Sequence, residues 1–241
     1  MLKNRYLSLP KYALLIILAG SINLSAQYVG KTHVIPIVAD GAVGDGTAYV
    51  SGIFITRMDK EPTNVCNLQA PGAPLADRIP ETVVDLTGKT GERIFTNTGG
   101  NLATGFAILS CTASVAVHTL YVLTDLPTGP VSIATALSQG TFRKASLNAF
   151  HKPPVTRLGI AVVNNSSVAA NYTVEVEVAG TVVKTDLTLA PQSSMSRFLD
   201  EILTVPDDFF VVNITSDQPI AATGLLFINN KFTAIPLSIV E

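Results

Sequence analysis

The sequence predicts an all-β protein made of two tandem β-sandwich modules of about seven strands each, with a short helix in the second module. Three observations predict this fold. Charged residues make up only 14% of the chain, while Val, Ile, Leu, Ala and Thr are abundant, which is typical of a folded, β-rich chain. Short apolar stretches are separated by turn residues without intervening helical patterns, which favours a sandwich over a parallel α/β sheet. The second half of the chain also repeats, in order, segments of the first half.

The first element is a targeting segment at residues 1–26. Basic residues without acidic ones precede a short apolar run at 12–19, and small and polar residues follow as far as Ala26. The run is well short of the roughly 20 apolar residues that a bilayer span needs. The pattern therefore favours a secretory signal peptide over a retained membrane anchor, and the absence of a cysteine near the cleavage point gives no support to a lipoprotein anchor. The basic residues are Lys3, Arg5 and Lys11.

The mature chain that follows is mildly acidic. Removing three basic residues from the 16 Lys and Arg leaves 13 against 18 Asp and Glu, a net charge of −5. Nucleic acid and anionic membrane surfaces are not expected partners, because both attract clustered Lys and Arg. No mature segment is apolar for long enough to predict a transmembrane anchor.

The internal similarity predicts the domain organisation. Gly52 aligns with Gly159 at the clearest match, and the offset between the copies changes only in loops, where length changes are expected. The chain therefore divides into a first module at 27–139 and a second at 140–241, each of ordinary domain size. The matched segments are 51–56 with 157–163, 82–87 with 183–188, 106–112 with 209–215, 117–123 with 220–226, and 131–137 with 232–237.

The second module shows its strand pattern most clearly. Apolar residues at Tyr172, Val174, Val176 and Val178 alternate with polar ones, as in a strand with one buried and one wet face. Residues 194–203 instead place Met195, Phe198, Leu199 and Ile202 on one helical face. They predict a helix of one or two turns that closes the end of this sandwich, whereas the first copy carries a Gly- and Thr-rich segment there (88–100) and is expected to have a shorter helix or none.

Both cysteines, Cys66 and Cys111, belong to the first module. Export to an oxidising compartment favours a disulfide between them, and closing that loop would be worth about 4 kcal/mol. Cys111 aligns with the inward-facing Ile214. Cys66 aligns with Thr173 or Val174, and only the second placement turns it inward, so two separate thiols remain the alternative.

Six segments of the mature chain carry a recognisable pattern. They are 37–41 (IVADG), 156–164 (TRLGIAVVN), 187–191 (LTLAP), 197–201 (RFLDE), 216–222 (SDQPIAA) and 232–237 (FTAIPL). Together they resemble a module common in exported acidobacterial proteins, closely in the second copy and more loosely in the first. The resemblance implies tandem immunoglobulin-like sandwiches outside the cytoplasm, and it implies no catalytic or binding residues.

Residues with catalytic or metal-binding potential are few. His33, His118 and His151 lie far apart in sequence and lack metal-ligand spacing, so structural or surface roles are expected. Asp40 and Asp45, in the Gly-rich segment 40–46, form a weak calcium candidate, although Asp and Gly are also what an ordinary turn needs. The glycines do not follow the phosphate-binding order, and no Gly-x-Ser-x-Gly elbow occurs.

The sequence therefore predicts an exported, non-enzymatic protein, secreted, periplasmic or on the cell surface, with a structural, adhesive or ligand-presenting role and no cofactor. Its partner would be another extracellular protein or a glycan. One alternative is a carbohydrate- or protein-binding accessory module, in which tyrosines would replace the missing tryptophan. A hydrolase would need Asp40, Asp45 and His151 in one cleft, and an assembly by strand addition would use residues 238–241. The tyrosines are Tyr28, Tyr49, Tyr121 and Tyr172.

Overall fold

The computed structural model describes residues 28–240, apart from 45, 72–74, 80–81, 98, 126, 179, 206 and 230. The predicted signal peptide at 1–26 lies outside the described residues. Among the described residues, strands dominate, and the helical structure consists of two single 3-10 turns, Ala76–Arg78 and Leu199–Glu201. Within this part of the chain, no helix is long and apolar enough to cross a membrane.

Fifteen strands follow one another along the described chain. The first module contains β1 (Val29–Ala42), β2 (Thr47–Arg57), β3 (Val65–Gln69), β4 (Val83–Asp85), β5 (Gly91–Phe95), β6 (Ala103–Asp125) and β7 (Gly129–Leu137). The second contains β8 (Phe142–His151), β9 (Thr156–Asn164), β10 (Ala170–Val178), β11 (Thr181–Leu189), β12 (Ser193–Phe198), β13 (Asp208–Ile228), β14 (Lys231–Ile235) and β15 (Ser238–Ile239).

The two modules share one scheme of strand pairing, apart from the short β1–β2 and β8–β15 pairs, and every strand pair is antiparallel. In the first, the long strand β6 pairs with β1, β2, β3 and β7, while β4 and β5 lie outside β3 and β2. In the second, β13 takes the place of β6 and pairs with β8, β9, β10 and β14, which correspond to β1, β2, β3 and β7. Strands β11 and β12 lie outside β10 and β9, as β4 and β5 lie outside β3 and β2. The predicted all-β architecture of multistranded antiparallel sheets is confirmed.

Each long strand runs through both sheets of its module. The first half of β13 pairs with β8 and β10, and its second half with β9 and β14. One buried apolar cluster fills the space between the sheets of the second module and another fills that of the first. The expected alternation holds on β10, where Tyr172, Val174 and Val176 are buried in the core.

The helix expected over 194–203 is wrong for most of its length. Residues 193–198 form strand β12, which pairs with β9 from Ser193–Asn164 to Phe198–Gly159, and only Leu199–Glu201 make a 3-10 turn. Met195, Leu199 and Ile202 pack on the core as expected, but Phe198 turns outward onto Phe227. The helical spacing of the apolar residues arose because Met195 and Phe198 lie on the strand while Leu199 and Ile202 lie in the turn and directly after it.

A third apolar layer joins the modules. Its larger cluster combines Ile37, Tyr121 and Leu123 of the first module with Leu225 and Phe232 of the second. A smaller cluster combines Val34, Phe106 and Ile108 with Val163 and Ala221. The sheet that contains β9 is therefore covered on both faces, by its own core on one side and by the first module on the other.

Candidate ligand-binding groove between the modules

The groove arises where the first module's long strands extend beyond their own core. On one face of β6, Val115 and Val117 pack inside the first module, while Tyr121 and Leu123, further along the same face, pack on the second. Side chains two residues apart point to the same side of a strand, so one continuous face serves both the core and the contact between the modules.

The space left at this contact is a cavity of about 400 Å³. That volume falls within the range of small-molecule sites, which often form between domains and have mainly apolar walls. Its walls are mainly aromatic and aliphatic, and Thr104, Ser196, Arg197 and Glu201 are the polar residues of the lining. The lining includes Ile37, Val43, Tyr49, Leu102, Thr104, Tyr121, Gly159, Ala161, Ser196, Phe198, Glu201, Leu225, Phe227 and Phe232.

Aromatic rings follow one another along the wall. The ring of Phe227 lies 5.1 Å from that of Phe198 and 5.7 Å from that of Phe232, between ring centroids. Phe232 in turn lies 5.6 Å from Tyr49 and 6.3 Å from Tyr121. Offset and edge contacts at these separations are favourable, so the wall is ordered by the protein itself.

Small residues on β9 keep the base of the groove open. A Cβ at Gly159 would lie in ordinary van der Waals contact, 3.4 Å from Cε2 of Phe227 and 3.6 Å from the Leu225 carbonyl oxygen, so any side chain there would occupy space beside the aromatic wall. The neighbouring outward position on the same strand is Ala161, which is buried.

An ion-pair network fixes one margin of the groove. Arg157 donates to both carboxylate oxygens of Asp200, at 3.0 Å from Nε and 2.7 Å from Nη2, and its guanidinium lies 3.7 Å from the centroid of the Phe198 ring. Glu201 accepts a hydrogen bond from the Phe198 amide at 3.2 Å. The hydrogen bond from Arg157 lowers the pKa of Asp200, so the pair stays charged at neutral pH. The segment RFLDE thus positions the Phe198 ring.

Tyr121 closes the inner wall. Its hydroxyl donates to the Ile37 carbonyl at 2.7 Å, and burial raises its pKa well above the ordinary value. A neutral, hydrogen-bonded phenol in this position offers its ring to the cavity and keeps its polar atom satisfied.

The structure separates the three histidines. His33 is fully buried, with Nδ1 2.7 Å from Ser138 Oγ and Nε2 3.1 Å from the Gly30 and Val115 carbonyl oxygens. His118 stacks on Phe54 on the outer face of the first module. His151 is buried beside Asp200, with Nε2 3.9 Å from Oδ2, and burial lowers its pKa.

Asp40 is an internal ion-pair partner. It is buried, accepts from Arg78 Nη1 at 2.8 Å, and accepts from the Thr96 hydroxyl at 2.8 Å. Since a guanidinium already neutralises this carboxylate, the geometry gives no support to calcium there. Asp45 lies outside the described residues. Within the described part of the chain, no three His, Cys, Asp or Glu residues are grouped as a metal site.

Cys66 and Cys111 form a disulfide that joins β3 to β6. They face each other directly in the register, as Val174 and Ile214 do in the second module. Of the two placements open to Cys66, the register therefore selects the one over Val174, and Cys66 is fully buried.

Sequence reasoning placed Tyr49 and Tyr121 among possible binding residues but missed the groove. Tyr172 lies in the core, where burial raises its pKa to about 12, and Tyr28 packs edge-on against His33. Asp40 and His151 have separate partners, so the structure does not bring these two residues of the hypothetical hydrolase set together. A signal for the groove was present at 158–163, where the uninterrupted apolar run is typical of a strand buried on both faces.

The fold and the groove define an all-β protein with a candidate apolar binding site between two similarly paired modules. Comparisons with protein-family models, with curated proteins and with solved structures found no match to this chain.

Proposed function

We propose that this protein is an exported, non-enzymatic binding protein that holds an apolar ligand group in the groove between its modules. The aromatic wall formed by Tyr49, Phe198, Phe227 and Phe232 carries the proposal. The ligand class is an aromatic ring or a short aliphatic chain, because most of the lining is apolar. A sugar would need many directed hydrogen-bond partners, and the lining offers few polar side chains, those of Thr104, Ser196, Arg197 and Glu201.

Three further observations support a binding role outside the cytoplasm. The N-terminal pattern predicts a signal peptide, and the disulfide suits an oxidising compartment. Among the described histidines, His33 does contact a serine, Ser138, but both side chains are buried and Ser138 also donates to the Val117 carbonyl at 2.9 Å, so this pair is a structural one. His118 stacks on Phe54 and His151 lies beside Asp200.

The neutral dye N-phenyl-1-naphthylamine tests the site, since its fluorescence rises on transfer to an apolar environment. Val43 and Leu102 line the groove from its exposed rim, so Val43→Glu and Leu102→Glu should leave the fold intact. Each should weaken dye binding by about tenfold, which corresponds to the loss of roughly 1.4 kcal/mol of apolar contact.

Two controls separate the groove from other apolar surface. Val83→Glu changes a similarly exposed residue on β4, and Phe209→Asp changes the most exposed phenylalanine; both should bind the dye as the wild type does. A wild-type protein that does not bind the dye, or rim variants that bind it unchanged, would disprove the proposal.

A further inference from the structure

Part of the contact between the modules, the smaller apolar cluster, joins two different faces. We call the outer side of β9, β13 and β14 the front face of the second module; it includes Ala161, Val163, Ala221, Leu225 and Phe232. We call the outer side of β1 and the first half of β6 the back face of the first module; it includes Val34, Phe106 and Ile108. Because the two modules share one scheme of strand pairing, each face has an equivalent in the other module.

The register identifies the front face of the first module. Gly52 lies opposite Phe95 and Leu120, just as Gly159 lies opposite Phe198 and Leu225. Phe54 and Ala161 each lie two residues after the glycine, so they correspond. Ile133 faces Val122 and Phe232 faces Phe227, and these partners each lie two residues after Leu120 and Leu225, so Ile133 corresponds to Phe232.

This first front face is uncovered and apolar. Ile133 is 59% exposed, whereas its equivalent Phe232 is 6% exposed. The Phe54 ring lies between those of Phe95 and His118, at 5.8 and 4.9 Å between centroids. The surface therefore keeps its apolar character without a covering layer.

The back face of the second module is also uncovered. Since Cys66–Cys111 corresponds to Val174–Ile214 in the register, Phe106 corresponds to Phe209. Phe106 is 2% exposed beneath the second module, whereas Phe209 is 73% exposed. The Phe209 ring contacts that of the half-buried Phe150, 4.5 Å away between ring centroids, and exposed apolar groups of this kind mark interaction surfaces.

We propose that these two faces bind each other between copies of the chain. The front face of one copy's first module packs on the back face of the next copy's second module and so repeats the back-face part of the contact between the modules, in which Phe106 and Ile108 meet Val163 and Ala221. The contact is head-to-tail, and its repetition gives a ring if the rotation closes and a filament if it does not.

Charge favours this pairing over a symmetric one. The front face of the first module carries Arg93 on β5. The back face of the second module and its neighbouring strands carry three acidic residues, Glu175, Glu177 and Asp186, and two basic ones, Lys144 and Lys184. The back face is therefore slightly acidic overall, so the head-to-tail contact sets the basic Arg93 against it, whereas two back faces would bring two slightly acidic surfaces together.

Sedimentation velocity over a concentration series tests the proposal. The wild-type mature protein should form dimers and larger species as its concentration rises. Phe209→Asp, which blocks the back face, and Ile133→Asp, which blocks the front face, should each be monomeric. Val83→Asp, an equally exposed change on β4, should associate like the wild type.

Mixing the two blocked variants gives the decisive result. Each retains the face that the other lacks, so an equimolar mixture should form a dimer and nothing larger. Wild-type protein that stays monomeric up to about 1 mM, or a blocked variant that still dimerises alone, would overturn the proposal. Circular dichroism checks that each variant is folded, with Phe209→Ser as the second back-face variant.

The association experiment and the dye-binding experiment on the groove can fail independently. Neither Phe209 nor Ile133 lines the groove, so the blocked variants should keep wild-type dye binding whether or not copies associate.

Discussion

At the scale of single residues, His33 shows how a polar side chain can be held inside this core. Its equivalent in the second module is Leu147, because both face the same position on the long strand. The imidazole occupies that position only because Ser138 and two carbonyl oxygens satisfy its nitrogen atoms. Burial lowers its pKa, and the hydrogen bonds to the Gly30 and Val115 carbonyls oppose the shift without cancelling it.

This lowered pKa predicts a loss of stability in mild acid. The unfolded chain takes up a proton near pH 6.5, before the folded protein does. The stabilisation that the neutral His33 gives to the folded state is therefore complete above pH 6.5. It is lost as the pH falls through the lower pKa that His33 has in the folded protein. Urea midpoints measured at pH 7.5 and 5.5 should differ less for His33→Leu than for the wild type. An equal pH dependence in both proteins would show that His33 does not titrate in this range.

At the scale of strands, the alternation of apolar and polar residues predicted which segments of the two modules correspond but not always their exact alignment. The matched segments 82–87 with 183–188 and 106–112 with 209–215 agree with the registers, in which Val84 corresponds to Thr185 and Cys111 to Ile214. The last two matched segments, 117–123 with 220–226 and 131–137 with 232–237, differ by two residues from the equivalence that the strand registers give. The sequence match aligns Leu120 with Thr223, whereas the registers align it with Leu225. A slip of two residues keeps every side chain on its proper face, so hydrophobic pattern alone cannot detect it.

The disulfide between β3 and β6 gives a prediction at this scale. Cys66→Val with Cys111→Ile installs the apolar pair that occupies the same positions in the second module, so packing is largely kept while the 45-residue connection is opened. The free energy of unfolding should fall by about 2–4 kcal/mol, since the unfolded chain gains freedom.

Urea denaturation measures that difference. The parent protein under reducing conditions is the matched control and should lose a similar amount. A double variant as stable as the oxidised parent would show that the bridge adds nothing to the stability of the first module.

At the scale of the whole molecule, the modules share a buried layer. The sequence predicted two sandwiches but not their contact, because the partner of a strand's outer face depends on how the modules pack and not on any local pattern. The equivalent phenylalanines Phe106 and Phe209 show the limit: they align at the same strand position, yet one is buried and the other exposed.

The same pair gives a prediction for the whole chain. Phe106→Ala should lower the free energy of unfolding by about 3–5 kcal/mol, because it empties a position beneath the second module. Phe209→Ala should change it by less than about 0.5 kcal/mol. Thermal unfolding of dilute protein measures both, and similar losses in the two variants would contradict the described packing of the modules.

The long strand β6 also sets the order in which the first module can fold. Residues 29–35 of β1 pair with β6, and β1 meets β2 only at the hairpin residues Gly41 and Ala42. Most of β1 therefore lacks a partner until a segment some seventy residues later has been synthesised, and such non-local pairing slows folding. A chain arranged in this way stays unfolded during much of its synthesis, which is the state in which a polypeptide can be threaded through a membrane channel.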